Sequence, residues 1–598
     1  MRYFAKSTIP ICQGLILFLL ACGTATATPA VTPAPASPAP AGAVRTAEAI
    51  TRNTTPAPAP TPVPTEPATR QAAAAAVPTP IPTPALLPPP AGKPGGALRV
   101  VGFAGSAHRD VHQTVQEAVT SLGPGLAYSR LLRLRSSEEI DQPNLVLECD
   151  LCLDWRLTPD FAYEFQLRPE VRWHNVAPVY GRPLVAEDVV FSYQRLRTEG
   201  WPNAQLFNSI GAMEATGPHS LRVELATADA DAILSLADGH SKIVAREVVE
   251  QYGDLRDSPV VGTGPWLWRE TQEGAGTNLD RNPDYFEEGL PFLDRLEIRV
   301  MDHEGAGQPV YQDALTAFRT GVLDVVPLQP AQWRTLMETR PNLSSAVSRQ
   351  AGTGVMLAMN VQSPAFSRLE VRRAVLKSID PWDNLDTLWA GQGFVSVGIP
   401  VQSPDWLLSR AEIRGGHLAD PGNARELLAE SGWPAPVEIE LTVRTERYGD
   451  IYLDLEDRLV RDLRAVGFNP RVRRLNPIQF METVVGRKDY ELALGVMPPT
   501  STTNTFLAAL LHSGGRWNIA AHQDRELDRM IEAQAAEFDP ARRRSQLLDI
   551  QRHVLNQAYL FSPVSGSSRW VFSPKLKGFS PSTALSEYIY WSRAWLER

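Results

Sequence analysis

Catalytic and cofactor motifs are what this 598-residue chain lacks. It holds no G-x-S-x-G nucleophile elbow, no H-E-x-x-H zinc helix and no G-x-x-x-x-G-K-[ST] phosphate loop, which removes the most legible routes to hydrolysis and nucleotide chemistry. His303-Glu304 has no second histidine at zincin spacing, and Gly352-Thr353-Gly354 is too isolated to mark a dinucleotide site. Acid pairs such as Asp229 and Asp231 read as solvated charges. No nucleophile, base and orienter stand together, so the chain reads as a non-enzyme with no cofactor. A concentrated basic stripe is also missing and the formal net charge is -9, so nucleic acid is not an expected partner.

Cysteine is scarce as well. Of 4 in the chain, only Cys149 and Cys152 fall in the part that reads as folded. A lone C-x-x-C outside the cytoplasm can be a small-loop disulfide, half of a metal site or a redox pair. No second C-x-x-C or nearby His pair completes a zinc set, and no thioredoxin-like βαβ pattern surrounds it. A structural disulfide leads, with an inert pair of thiols next, and no metal is assigned.

Long hydrophobic runs are confined to the front. Arg2 and Lys6 precede a mainly apolar run from Ile9 to Ala21, which suits an export signal and is too short to span a bilayer. Leu19-Leu20-Ala21-Cys22 has the form of a bacterial lipobox, implying cleavage before Cys22 and lipid attachment to its thiol. Ordinary cleavage after Ala21, with Cys22 incidental, is the alternative. From Thr24 to Pro94 the chain is dominated by Pro, Ala and Thr, with no aromatic residue, a tether that cannot bury enough surface to fold. Residues 22–94 are therefore expected to link a membrane anchor to a folded part on the extracytoplasmic side.

What is present begins at Gly95. About 500 residues are too many for one core. Strand-like runs (GGALRVVGF from Gly95, Ser220–Leu225, Leu296–Met301, Glu438–Val443, Leu492–Val496) alternate with helical patterns at Val310–Thr320, Glu370–Ser378, Asn423–Ser431, Tyr452–Val466 and Pro540–Asn556. The fold class is mixed α/β. The stretch from Phe161 to Arg197 is the most informative. Tyr163, Phe165 and Leu167 alternate with polar residues as in a half-buried strand. Val189, Tyr193 and Leu196 then recur at helical spacing behind Glu187 and Asp188.

This stretch also carries L-R-x-x-V-x-W-H followed by G-x-P-L-x-A-E-D-V-V-x-S, which resembles the signature of the family 5 extracellular solute-binding proteins, the peptide- and nickel-type receptors of ABC importers. Further matches follow in order: Val261-Gly262-Thr263-Gly264-Pro265-Trp266, Arg281-Asn282-Pro283-Asp284-Tyr285-Phe286, Gly321-Val322-Leu323-Asp324-Val325, and Val371-Arg372-Arg373-Ala374 with Ser378-Ile379-Asp380. One departure is Val185, where the family commonly has Thr, so a hydroxyl N-cap is missing. His174 reads as structural or surface.

The resemblance implies a two-lobed periplasmic-binding-protein-like clamp. Lobe I would take residues 95–345 and 563–598, with a subdomain at about 135–216, and lobe II residues 348–561. Ligand would lie in the cleft and close it by hinge bending. Carried over by position, Val496, Met497, Pro498 and Thr500 would face the ligand. Trp389 and Trp406 join them because aromatics commonly wall solute clefts, with core packing as the competing reading for both, and His512 is a further candidate contact. In peptide-binding relatives an Asp on this turn pairs with the ligand's ammonium, yet matching Phe506-Leu507 to the family's equivalent pair implies Pro499 at that place, and no acid occurs from Leu492 to Leu507. A buried peptide ammonium would then lack its partner, at a cost of a few kcal/mol, so a standard oligopeptide is disfavoured. The expected protein is a monomeric, lipid-anchored receptor that delivers a small or peptide-like ligand to ABC permease subunits. A surface sensor presenting solute to a signalling partner is the alternative, and a secreted hydrolase the third.

Overall fold

The computed structural model describes residues 91–102, 108–137, 139–140, 143–269, 276–301, 309–349, 351–445, 450–496, 502–563, 567–582 and 584–598. The chain divides into two units, Met1–Ala74 and Ala75–Arg598, and every described residue belongs to the second. The export signal, Cys22 and the proline-rich linker as far as Pro90 therefore lie outside the described residues.

Ala97–Gly102 forms the middle of a seven-stranded sheet. Its Leu98, Val100 and Val101 are buried, as a strand covered on both faces requires. It runs parallel to Arg295–Val300, with Ala97 opposite Arg295 and Gly102 opposite Val300, and parallel to Val325–Leu328 on its other side. Thr277–Arg281 and Trp266–Arg269 extend one flank antiparallel. On the other flank, Ser567–Phe572 returns from the far end of the chain and pairs with both Val325–Leu328 and Ser344–Arg349.

A four-stranded antiparallel sheet of Cys152–Leu157, Ala162–Leu167, Ser220–Leu225 and Ile210–Gly217 makes the subdomain carried by this first lobe. Tyr163, Phe165 and Leu167 point into its core while Gln166 is exposed, as period-2 alternation dictates. Helix Ala186–Leu196 buries Val189, Tyr193 and Leu196 in the same core, and Tyr193 meets the Phe207 ring edge-on with centroids 4.8 Å apart. Val185 offers no hydroxyl to cap this helix, and only the reciprocal half of a capping box is made, with Asp188 in the first turn accepting from the Val185 N–H at 3.0 Å. A disulfide joins Cys149 and Cys152 at the turn into the sheet.

The second lobe is built on a five-stranded sheet in the order Phe468–Leu475, Val437–Arg444, Leu492–Val496, Met356–Met359, Leu560–Phe561. Helices Leu369–Ser378, Pro421–Glu430, Asp450–Val466 and Pro540–Gln557 contribute to one apolar core whose buried members run from Ala351 to Phe561. Pro540–Gln557 starts where local chemistry says it should: the Asp539 carboxylate accepts from the Arg542 N–H at 2.8 Å, with Pro540 at the first helical position. The result is an α/β two-lobed clamp. The strands and helices expected from the sequence lie within two residues of those observed.

Candidate ligand site at the lobe junction

The signature motifs lock together within the first lobe. His174 is buried, with Nδ1 accepting from the Gly262 N–H at 3.3 Å and Nε2 donating to the Gly264 carbonyl at 3.0 Å. These partners fix the neutral tautomer, and burial pushes its ionisation down to about 4 although the Gly264 bond acts the other way. The V-G-T-G-P turn approaches so closely that a Cβ on Gly262 would meet the Ala127 carbonyl oxygen at 1.9 Å. Asp188, of the A-E-D-V motif, gathers the Trp173 indole N–H at 3.3 Å and the Arg182 guanidinium at 2.7 and 2.8 Å. These residues are scaffold, which explains why the signature identifies the architecture and not the ligand.

The lobes meet through a buried polar network. Arg543 on helix Pro540–Gln557 sends Nη1 to Oδ1 of Asp231 at 2.8 Å and Nη2 to the Asn504 carbonyl oxygen at 3.0 Å. Asn504 in turn donates its backbone N–H to Asp231 Oδ2 at 2.8 Å and its side-chain amide to Asp229 at 2.5 Å. Gln402 adds a bond to Asp231 at 3.1 Å, and Ala230 donates to the Ala535 carbonyl at 2.8 Å. Asp231 is 1% exposed and Arg543 3%, so the expectation that Asp229 and Asp231 are both solvated is corrected: Asp231 is a paired internal charge. Its buried position would be untenable without the guanidinium. Sequence spacing held a clue to Arg543, which shares its helix face with the buried Leu547, Ile550 and Val554.

Beside this network lies a cavity of about 290 Å³ with walls from both lobes. Trp155, Tyr163 and Leu234 come from the first, and Gln402, Trp406 and Phe538 from the second. Phe538 reaches across from the loop before helix Pro540–Gln557, its ring 5.4 Å from Phe161. Tyr163 thus joins the signature strand to the cavity, a role its alternation pattern alone did not reveal.

Of the expected ligand contacts, Trp406 is in the cavity wall, and its carbonyl accepts from Gln551 Nε2 at 2.8 Å. Trp389 is buried with Leu455, Leu385 and Leu388, and its carbonyl accepts from the first lobe's Arg569 at 2.5 Å. His512 does not line the cavity. Its Nδ1 accepts from the Gly514 N–H at 3.1 Å and its Nε2 stands 3.4 Å from Glu532. Val496 ends its strand opposite Met356, while Met497, Pro498, Pro499 and Thr500 lie outside the described residues. Thr502 and Asn504, just beyond them, sit at the junction, where Thr502 caps the following turn and Asn504 holds Asp231. Among the described residues no group of three or more His, Cys, Asp or Glu side chains is placed to hold a metal ion.

A two-lobed clamp with its cavity between the lobes defines a solute-binding architecture. Residues 147–518 match the bacterial extracellular solute-binding proteins, family 5 Middle, and the chain belongs to this family. It is similar to a probable di/tripeptide-binding protein 5 of Pseudomonas aeruginosa, 27% identical over 484 residues, covering 75% of this chain and 86% of the relative. It is also similar to heme-binding protein A of Haemophilus influenzae, 24% identical over 491 residues, covering 76% and 84%. Among solved structures, the ABC transporter substrate-binding protein CtaP of Listeria monocytogenes superposes with a TM-score of 0.72 at 17% identity, over 85% of this chain and all of that one (100%).

Proposed function

We propose that this chain is the extracytoplasmic receptor of an ABC import system, catching a small or peptide-like solute between its lobes and passing it to permease subunits. The observation that carries this reading is the junction cavity, whose wall is shared between lobes that also meet through Asp231 and Arg543. A solute that touches both walls binds the closed arrangement better than the open one and shifts the population toward it. A receptor needs no more chemistry than that.

The run from Ile9 to Ala21 supports export, Cys22 supports a lipid anchor and Thr24–Pro94 supports a tether. Among the described residues no helix is long and apolar enough to cross a membrane. The receptor then works as a monomer held at the outer face of the membrane, with lobe I as 95–345 plus 563–598, lobe II as 348–561 and the subdomain near 135–216. Val496, Met497, Pro498, Thr500, Trp389 and His512 remain proposed contacts around the cleft. The relatives' names speak of di- and tripeptides and of heme. For this chain the lack of an acid from Leu492 to Leu507 directs the reading to a ligand not held by its ammonium group.

Native mass spectrometry of the protein purified from its own host tests the reading. The expected result is a one-to-one complex with a small solute that rebinds after removal by unfolding and refolding. Turnover of any substrate in a panel, abolished by one point mutation, would overturn it.

A further inference from the structure

We propose that the junction cavity is a subsite for an uncharged apolar group of the ligand, a ring or a branched aliphatic body, gripped between the two lobes. This rests on the reading of the chain as a solute receptor and adds the chemical class of what it takes.

The first argument is the character of the wall. Trp155, Tyr163, Trp406 and Phe538 present aromatic surfaces from opposite lobes, with Leu157 and Leu234 between them. A volume of about 290 Å³ stands at the lower end of ligand pockets, about 300–1,000 Å³, and suits one ring system better than an extended chain. Aromatic walls favour offset or edge-on contact with a second ring. The Tyr163 hydroxyl, which has no hydrogen-bond partner among the described residues, is one anchor for water there, while water against the aromatic and leucine surfaces is displaced favourably by an apolar group.

The second argument is charge. Two ionic side chains border the cavity, Glu537 and Arg543, and both are already satisfied. Arg543 spends Nη1 on Asp231, Nη2 on Asn504 and Nε on Gln534 at 3.4 Å. Glu537 accepts from Arg542 at 2.8 and 2.9 Å. Asp229 does not line the cavity. A ligand carboxylate or ammonium entering this space would surrender its hydration without meeting a free counter-charge. Neutral groups are therefore selected as much by exclusion as by attraction.

The third argument is position. Since the wall is divided between the lobes, an occupant bridges them directly beside the Asp231–Arg543 pair, and its apolar contacts exist only in the closed arrangement.

Calorimetric titration of the full-length protein with N-acetyl-tryptophanamide, N-acetylglycinamide and indole-3-acetate tests this. The neutral ring compound is expected to bind at least about 10-fold tighter than either the ringless amide or the anion. Leu234→Trp, which fills the cavity, and Phe538→Ala, which removes one wall, should each weaken it by at least about 10-fold. Equal or tighter binding of indole-3-acetate, or unchanged affinity in both variants, would overturn the proposal. The solute recovered from the native protein separates this outcome from the parent reading. If that solute binds wild type and both variants alike, the subsite is overturned and the receptor stands. Substrate turnover with no retained solute removes both.

Discussion

Nη1 of Arg543 lies 2.8 Å from Oδ1 of Asp231, and the two buried residues are 312 positions apart in the chain. Each belongs to a different lobe, so the bond exists only when the lobes are together. Replacing Arg543 with Met strands the Asp231 carboxylate, at a cost of about 3–5 kcal/mol to the closed junction. The lobes avoid that cost by separating. Small-angle scattering without ligand should show a larger radius of gyration for R543M than for wild type, and adding Asp231→Asn should reverse part of the change. Identical radii for all three proteins would remove this pair from closure.

Glu587 performs a comparable task inside the first lobe. It meets Arg130 at 2.7 Å with both side chains shielded from water, and it also accepts from the Leu134 N–H at 2.8 Å. Glu587→Ala leaves a buried guanidinium beside Lys242, which already stacks on Tyr588 at 3.7 Å. The expected loss is about 3–5 kcal/mol, read as a lower urea midpoint. A loss below 1 kcal/mol (roughly the worth of an exposed pair) would show that the site admits water.

Gly262→Ala tests the tight turn of the V-G-T-G-P motif. Its new Cβ would fall 1.9 Å from the Ala127 carbonyl oxygen, and backbone on both sides must move. The expected destabilisation is about 3 kcal/mol or more. Gly253→Ala, where no atom lies within 4 Å of the added Cβ but φ is +85°, should cost only the backbone strain, about 1–2 kcal/mol. Equal midpoints for the two variants would contradict the close approach.

Acid should weaken the fold through its buried histidines. His174, His112 and His522 are each held neutral by burial, with ionisation pushed from 6.5 to about 4. The unfolded chain therefore binds these protons first. Stability is full above pH 6.5 and falls as pH drops from about 6.5 toward 4, by about 3 kcal/mol for each such group at full effect. In urea titrations between pH 7 and 4.5, His174→Gln should flatten the slope by up to one proton. An unchanged slope would mean that His174 ionises normally.

Much of the fold was legible because its signals are local. Tyr163, Phe165 and Leu167 alternate, and Asp539-Pro540 announces a helix start. The site was harder to read for the opposite reason. Asp231 looks like any surface acid until Arg543 is brought against it from the other lobe, and nothing near Asp231 in the sequence encodes that meeting. Trp389 and Trp406 are equally plausible as wall or core by composition. Their difference arises from packing, one against Leu455 and one beside Arg543. His174 was readable as structural because it stands inside a scaffold motif, although its partners Gly262 and Gly264 lie some 90 residues on.

Ser567–Phe572 has a consequence for the order in which the molecule is made. It fills the gap between Val325–Leu328 and Ser344–Arg349, so the first sheet stays open until nearly the whole chain exists. The second lobe's core, from Ala351 to Phe561, can form before that strand emerges. The half of the protein that begins first is therefore finished last, and a chain truncated before Ser567 would carry two unpaired strand edges that invite aggregation.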